Sequence, residues 1–237
     1  MWSGPRNIST AMMRSWGNRA DTYVCDEPLY AHYLAATGLP HPGREEVIAR
    51  HETDPCKVAA WLTGPVPGDR RIFFQKHMSH HLLAGMDRTW LALLTHAFLI
   101  RNPAEMLTSL IKVTPRISLA DTGLPQQVEL VAWLESRLGR TPPILDARDV
   151  LENPRTILQS LCAKVGVRFD EAMLHWPPGP RATDGVWAKH WYAAVEKSRG
   201  FEPYRPKVEP VPDEYRPLLL ASRELYDVLY AKRLSPP

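Results

Sequence analysis

Residues 96–103 read His96-Ala97-Phe98-Leu99-Ile100-Arg101-Asn102-Pro103. Phe98 to Ile100 is apolar without alternation, as a strand buried on both faces of a parallel sheet requires. The run ends in arginine, and Asn102-Pro103 starts a helix at once, Ala104 to Lys112, because proline suits a first helical turn. Arg71-Ile72-Phe73-Phe74 reads as a second buried strand. Pro143-Ile144-Leu145-Asp146 is a third, followed by a helix from the cap Asn153-Pro154 to about Val165. Strands alternating with helices predict an α/β fold around a parallel sheet.

Outward from these segments, Ile8 to Trp16 has helical spacing, with Met12, Met13 and Trp16 as core, and stops near Gly17-Asn18. Thr22-Tyr23-Val24-Cys25 is a short β-type run, and a helix runs from Pro28 to Leu34. Residues 38–55 read as a mobile surface segment with a helical turn around Glu45–Arg50. Val128 to Leu138 is amphipathic, and Glu214 to Leu229 forms a last helix over the core. The 23 prolines in 237 residues are close to twice the usual share. They punctuate the elements, and residues 203–217 read as an extended arm. With no internal repeat, residues 1–237 are expected to form one domain.

At 44% hydrophobic and 23% charged, the chain is globular in composition, which excludes disorder as its main state. A net charge of +3, with no run of basic residues, excludes a nucleic-acid surface but leaves room for a local anion site. The most apolar stretch, Trp90 to Ile100, is broken by Thr95 and His96 and falls short of the ~20 residues of a membrane span. No signal peptide is read at the start, so no membrane partner is expected. Cys25, Cys56 and Cys162 are scattered and odd in number, which points to reduced thiols in a cytoplasm.

Three segments carry chemistry. Ser3-Gly4-Pro5-Arg6-Asn7-Ile8-Ser9-Thr10 lies between a short strand and a helix, where free N–H groups, a guanidinium and two hydroxyls suit a phosphate or sulfate. It lacks the spacing and lysine of a Walker loop. Arg101 at a strand end, with Ser109 two turns along the following helix, suits a second phosphate. Gly185-Val186-Trp187-Ala188-Lys189-His190-Trp191, preceded by Arg181, suits a flap over a flat ring. Each has a plainer reading: a capped helix start, a surface ion pair, and aromatic staples.

Together these segments resemble the sulfotransferases that use 3′-phosphoadenosine 5′-phosphosulfate (PAPS). Pro5 to Thr10 is similar to their 5′-phosphosulfate loop, and Arg101-Asn102-Pro103 with Ser109 to their 3′-phosphate motif. Gly185-x-Trp187-x-x-His190-Trp191 resembles their Gly-Asp-Trp flap, and Asp146 to Phe169 a further family segment. The resemblance spans residues 3–192. It implies a P-loop NTPase-like three-layer α/β/α fold and sulfuryl transfer to a hydroxyl or amine of a small-molecule acceptor. PAPS would be the co-substrate, 3′,5′-adenosine bisphosphate (PAP) the product, and no metal would be needed. Arg6, Asn7, Ile8, Ser9, Thr10, Arg101, Ser109, Arg181, Gly185 and Trp187 would bind the nucleotide. Glu27 is then the first choice for general base. Lys76, in Phe74-Gln75-Lys76-His77, resembles the lysine that stabilises the leaving phosphate, and His77 is the alternative base. Because His77 directly follows Lys76, the two should face opposite sides of a strand, which ranks Glu27 first.

Two departures stand out. Ile8 occupies the loop's usual glycine position, which narrows its conformations, and only Met1-Trp2 precedes the loop, so the first central strand is expected to be truncated or very short. Three rivals follow. A P-loop kinase lacks its lysine here. His77, His80 and His81 suggest a weak metal hydrolase reading. The third is a nucleotide-binding protein of low turnover on the same fold. Acceptor choice would rest on residues 35–70 and 113–130.

Overall fold

A computed structural model describes residues 1–114 and 116–235, so Pro115 of the acceptor region and the last two residues of the C-terminal arm lie outside it. Five strands, β1 (Trp2–Ser3), β2 (Thr22–Asp26), β3 (Ile72–Met78), β4 (Phe98–Ile100) and β5 (Ile144–Asp146), form one sheet in the order β2-β3-β1-β4-β5. The β2–β3, β1–β4 and β4–β5 pairs are parallel. Ten α-helices belong to the described residues: α1 (Ser9–Gly17), α2 (Tyr30–Thr37), α3 (Arg44–Arg50), α4 (Pro55–Leu62), α5 (Pro103–Leu110), α6 (Leu124–Leu138), α7 (Ala147–Glu152), α8 (Pro154–Lys164), α9 (Ala188–Trp191) and α10 (Arg216–Tyr230). The fold is α/β with a parallel sheet. None of these helices is long and apolar enough to cross a membrane.

The chain divides into two compact units interleaved in sequence: Met1, Ser9–Leu94 and Asp170–Phe201 in the first, and Trp2–Ile8, Thr95–Phe169 and Glu202–Pro237 in the second. In the first, β2 and β3 run in register from Thr22 opposite Ile72 to Asp26 opposite Lys76. The apolar stripe of α1 covers them: Met12, Met13 and Trp16 are buried, and Trp16 stacks on Phe74 at 5.2 Å. The segment read as mobile surface contains α3 and leads into α4. The Asp54 side chain caps α4 by accepting from Cys56 N at 2.8 Å, and Val58 and Leu62 bury its inner face.

In the second unit β1 spans two residues and pairs Trp2 with Phe98 and Ser3 with Leu99. All residues of β4 and β5 are buried, which accounts for the apolar runs Phe98–Ile100 and Ile144-Leu145. The Asn102 side chain caps α5 by accepting from Ala104 N, with Pro103 in the first turn. Asp146 ends β5 and caps α7 directly, without a connecting loop. The helix α10 docks by Leu229 and by the Tyr226 hydroxyl, which donates to Asp146 Oδ2 at 2.8 Å. Prolines open α4, α5, α6, α8 and α10, which explains much of the high proline content.

Candidate active site

The loop after β1 belongs to the second unit. Gly4 packs so closely that a Cβ there would stand 2.4 Å from the Thr122 carbonyl oxygen, so only glycine fits. The turn is made at Arg6, whose φ of 52° is left-handed. The loop therefore bends two residues before Ile8, and isoleucine at the position expected for glycine is compatible with it. Asn7 fixes the loop: its Nδ2 donates to Leu99 O at 2.9 Å and its Oδ1 accepts from Ile8 N at 2.9 Å. Ser9 and Thr10 follow in the chain as the first residues of α1.

Arg6 and Arg101, distant in sequence, meet here. Arg6 Nε donates to Ser109 Oγ at 2.9 Å, and Arg101 Nη1 donates to Arg6 O at 3.0 Å. Ser109 thus does face back to the start of its helix. Burial, and then the neighbouring Arg101, lower the Arg6 pKa, as two converging cations should. Sequence reasoning missed Glu105, whose Oε2 accepts from Arg101 Nε at 3.1 Å and Nη2 at 3.0 Å. Its spacing of four residues from Arg101 was the available signal. Two guanidiniums against one carboxylate leave this cradle positive and lined with donors, the setting an anionic group requires.

In the first unit, the ends of β2 and β3 build a charged cluster. Asp26 sits opposite Lys76, and Glu27 N donates to Lys76 O at 2.8 Å, carrying the pairing one residue beyond the strand. Lys76 is 2% exposed. Its ammonium donates to Asp26 Oδ1 at 2.8 Å, to Tyr192 OH at 3.0 Å and to Glu27 Oε1. Tyr192 in turn donates to Asp26 Oδ2 at 2.6 Å, and Gly185 N donates to the same oxygen at 3.2 Å. Burial opposes the charge on Lys76, but Asp26, Glu27 and Tyr192 together hold its pKa well above the ordinary lysine value. Burial pushes the Glu27 carboxyl up, with Lys76 pulling it down and Asp26 adding to the rise.

Glu27 has a φ of 43°, strained for a residue with a side chain. Its carboxylate does not cap α2: the N-cap is Leu29, with no side-chain cap bond. His77 faces the other way, as strand alternation requires, with Nε2 3.3 Å from Gln75 Oε1. The structure therefore brings Glu27 to Lys76 and leaves His77 apart from both. The imidazole near Glu27 is His81, with Nδ1 4.0 Å from Glu27 Oε2. Its ring stacks on Tyr30 and Tyr33 at 4.7 Å each, and burial lowers its pKa well below the ordinary histidine value.

The Gly185 segment joins this unit's own packing. A Cβ on Gly185 would lie 2.1 Å from the Trp187 ring, and Trp187 is buried edge-on against Tyr30 at 5.0 Å. Arg181 donates to Pro177 O at 2.6 Å, and its backbone N–H donates to Asp184 at 2.8 Å. Asp184 itself forms a buried two-point ion pair with Arg14. Among the described residues no group of His, Cys, Asp and Glu is arranged to hold a metal ion.

These features define an α/β protein with a parallel sheet and a positive, donor-lined loop cradle. The chain matches the sulfotransferase domain family over residues 1–233 and belongs to it. Two curated relatives from Arabidopsis thaliana, named branched-chain-amino-acid aminotransferase-like proteins 1 and 2, are 37% and 36% identical over 228 residues, or 96% of this chain. The chain spans 40% of the length of each. Among solved structures, the sulfotransferase domain from the Synechococcus PCC 7002 olefin synthase aligns with a TM-score of 0.55 at 18% identity, covering 99% of this chain and 94% of that one. The sulfotransferase domain from the curacin biosynthetic pathway gives 0.55 at 14% identity, covering 99% and 97%. At these identities the two structures establish a shared fold.

Proposed function

We propose that this chain transfers a sulfuryl group from PAPS to a hydroxyl or amine of a small-molecule acceptor. The observation that carries the reading is the meeting of Arg6, Arg101 and Ser109 in one cradle, from two segments a hundred residues apart. Family membership supplies the reaction class. Arg101 and Ser109 hold the 3′-phosphate. Arg6, Asn7 and the start of α1, with Ser9 and Thr10, hold the 5′-phosphosulfate by guanidinium, hydroxyls and helix N-terminal N–H groups.

The acceptor oxygen or nitrogen attacks sulfur in line, the bond from sulfur to the phosphate oxygen breaks, and PAP leaves with both electrons of that bond. Glu27 takes the acceptor's proton, and its burial supports this role because a raised carboxyl pKa makes a stronger base. Lys76 has its ammonium engaged by three partners, which supports a part in fixing Glu27 and Asp26. Charge developing on the leaving oxygen then falls to Arg6 and the N–H groups of α1. The aminotransferase in the plant relatives' names is not carried over to this chain, which spans 40% of their length.

Titration calorimetry with PAP, ATP and 5′-AMP tests the reading. The bisphosphate should bind more tightly than either control, and Arg101→Ala should weaken it about tenfold to hundredfold. Equal binding of all three, or of none, refutes the PAPS assignment. A panel of alcohols, phenols and amines, with PAP release as the readout, then defines the acceptor.

A further inference from the structure

The segment Glu202–Pro212 belongs to the second unit and carries prolines at 203, 206, 210 and 212, with no helix or strand in it. It is a strap tied to α5, the helix that begins beside Arg101 and carries Ser109. The Tyr204 hydroxyl donates to Glu105 Oε1, and the Arg148 guanidinium lies over the Tyr204 ring at 5.1 Å. Lys207 Nζ donates to the Glu105 backbone oxygen at 3.0 Å, and Lys112 pairs with Glu209.

These ties set Lys207 beside the Arg101–Glu105 pair. The Glu105 carboxylate is shared by Arg101 and Tyr204, while Lys207 reaches only the carbonyl of the same residue. Burial and then Arg101 lower the Lys207 pKa, Glu105 opposes them and Arg6 adds to the fall, so the ammonium feels both guanidiniums as well as the carboxylate. Three cations thus stand against one carboxylate. The excess of two positive charges suits a phosphate monoester dianion.

We propose that Lys207, carried on the strap, is the third cation of the site formed by Arg6, Arg101 and Ser109, and that it binds the terminal phosphate of a nucleotide 3′-monoester. This rests on the reading of PAPS as co-substrate, in which Arg101 and Ser109 face the 3′-phosphate. With the anion bound, Lys207 contacts a phosphate oxygen as well as the Glu105 carbonyl, and the strap becomes part of the nucleotide site.

Calorimetry on the full chain with PAP, 5′-AMP and inorganic phosphate tests this. Lys207→Ala should weaken PAP about tenfold, as loss of one charge-assisted hydrogen bond does, and leave 5′-AMP unchanged. Wild-type PAP affinity in Lys207→Ala, with loss in Arg101→Ala, overturns the strap proposal and leaves the PAPS reading intact. A wild-type protein that does not prefer PAP overturns both. Equal weakening of PAP, 5′-AMP and inorganic phosphate overturns the 3′ assignment. Limited trypsin digestion gives a second readout, because Lys207-Val208 is a cleavable bond and Arg205-Pro206 is not. PAP should slow cutting after Lys207 severalfold more than cutting after Lys57. Equal slowing at the two bonds counts against the proposal.

Discussion

Lys76→Met isolates the electrostatic part of the first unit's cluster. Methionine fills the space of the lysine stem, so the cavity contribution is small and the loss comes from the missing ammonium. What remains is Asp26, with a side chain 1% exposed, and Glu27 at 12%, both without the cation they share. Removing one partner of a buried ion pair costs about 3–5 kcal/mol. In a chain of this size that corresponds to a fall in Tm of about 2–4 °C per kcal/mol. The pH dependence makes the test specific. Glu27 has a folded pKa above its unfolded one, so between the two values the native state holds more protons, and the contribution of Glu27 to stability falls as pH rises through that window. Losing Lys76 removes the main opposing pull and moves the upper edge of the window higher. Lys76 itself titrates above the lysine range, so it keeps its charge through neutral and mildly acid pH and any pH dependence there comes from Glu27. The deficit of Lys76→Met relative to wild type should therefore be largest near pH 7.5 and shrink toward pH 5.5. Adding Glu27→Gln should recover part of it at pH 7.5. Urea unfolding at the two pH values measures this. A deficit below about 1 kcal/mol, or one that does not change with pH, would refute the account of Lys76 as counter-ion to two buried carboxylates.

Three further outcomes are expected. Glu27→Gln should lower kcat by about 10²–10⁴ with PAP binding intact, while His77→Ala, on the opposite strand face, keeps kcat within a few-fold; single-turnover rates decide between the two bases. Gly185→Ala should push Trp187 out of its packing against Tyr30, costing about 1–3 kcal/mol, and shift tryptophan emission to the red; unchanged emission means the ring was not displaced. Tyr226→Phe removes the hydroxyl donor to the buried Asp146 carboxylate and should cost about 1.5–3 kcal/mol by urea unfolding, and a loss under 0.5 kcal/mol would mean that water replaces it.

The parts of this molecule legible in the sequence are those governed by local rules. Buried strands showed as unbroken apolar runs, helix starts as Asn102-Pro103 and Asn153-Pro154, and the cradle as Arg6 and as Arg101 with Ser109 two turns on. The helix α4 was open to the same reasoning, since Asp54-Pro55 is a cap and Val58 and Leu62 are four residues apart, but the proline- and charge-rich surroundings resembled surface loop. What the sequence hid are partnerships over long separations. Nothing near Asp26 announces Tyr192 as its donor, nothing near Arg14 announces Asp184, and Arg6 gives no sign that it supplies the left-handed turn expected of a glycine.

The Glu27–Lys76 pair shows where local rules extend into the site. Parallel register sets Asp26 opposite Lys76, and the next residue, Glu27, leaves the strand in a left-handed conformation that turns its carboxylate back onto the same ammonium. The adjacent residue on β3 then has to face away, and His77 does, toward Gln75. A two-residue step from lysine to histidine would have set an imidazole on the lysine's face. The one-residue step instead leaves a carboxylate as the group that the strand geometry brings to Lys76. The proposal of Glu27 over His77 as base thus rests on the period of a β-strand, before any pKa is considered.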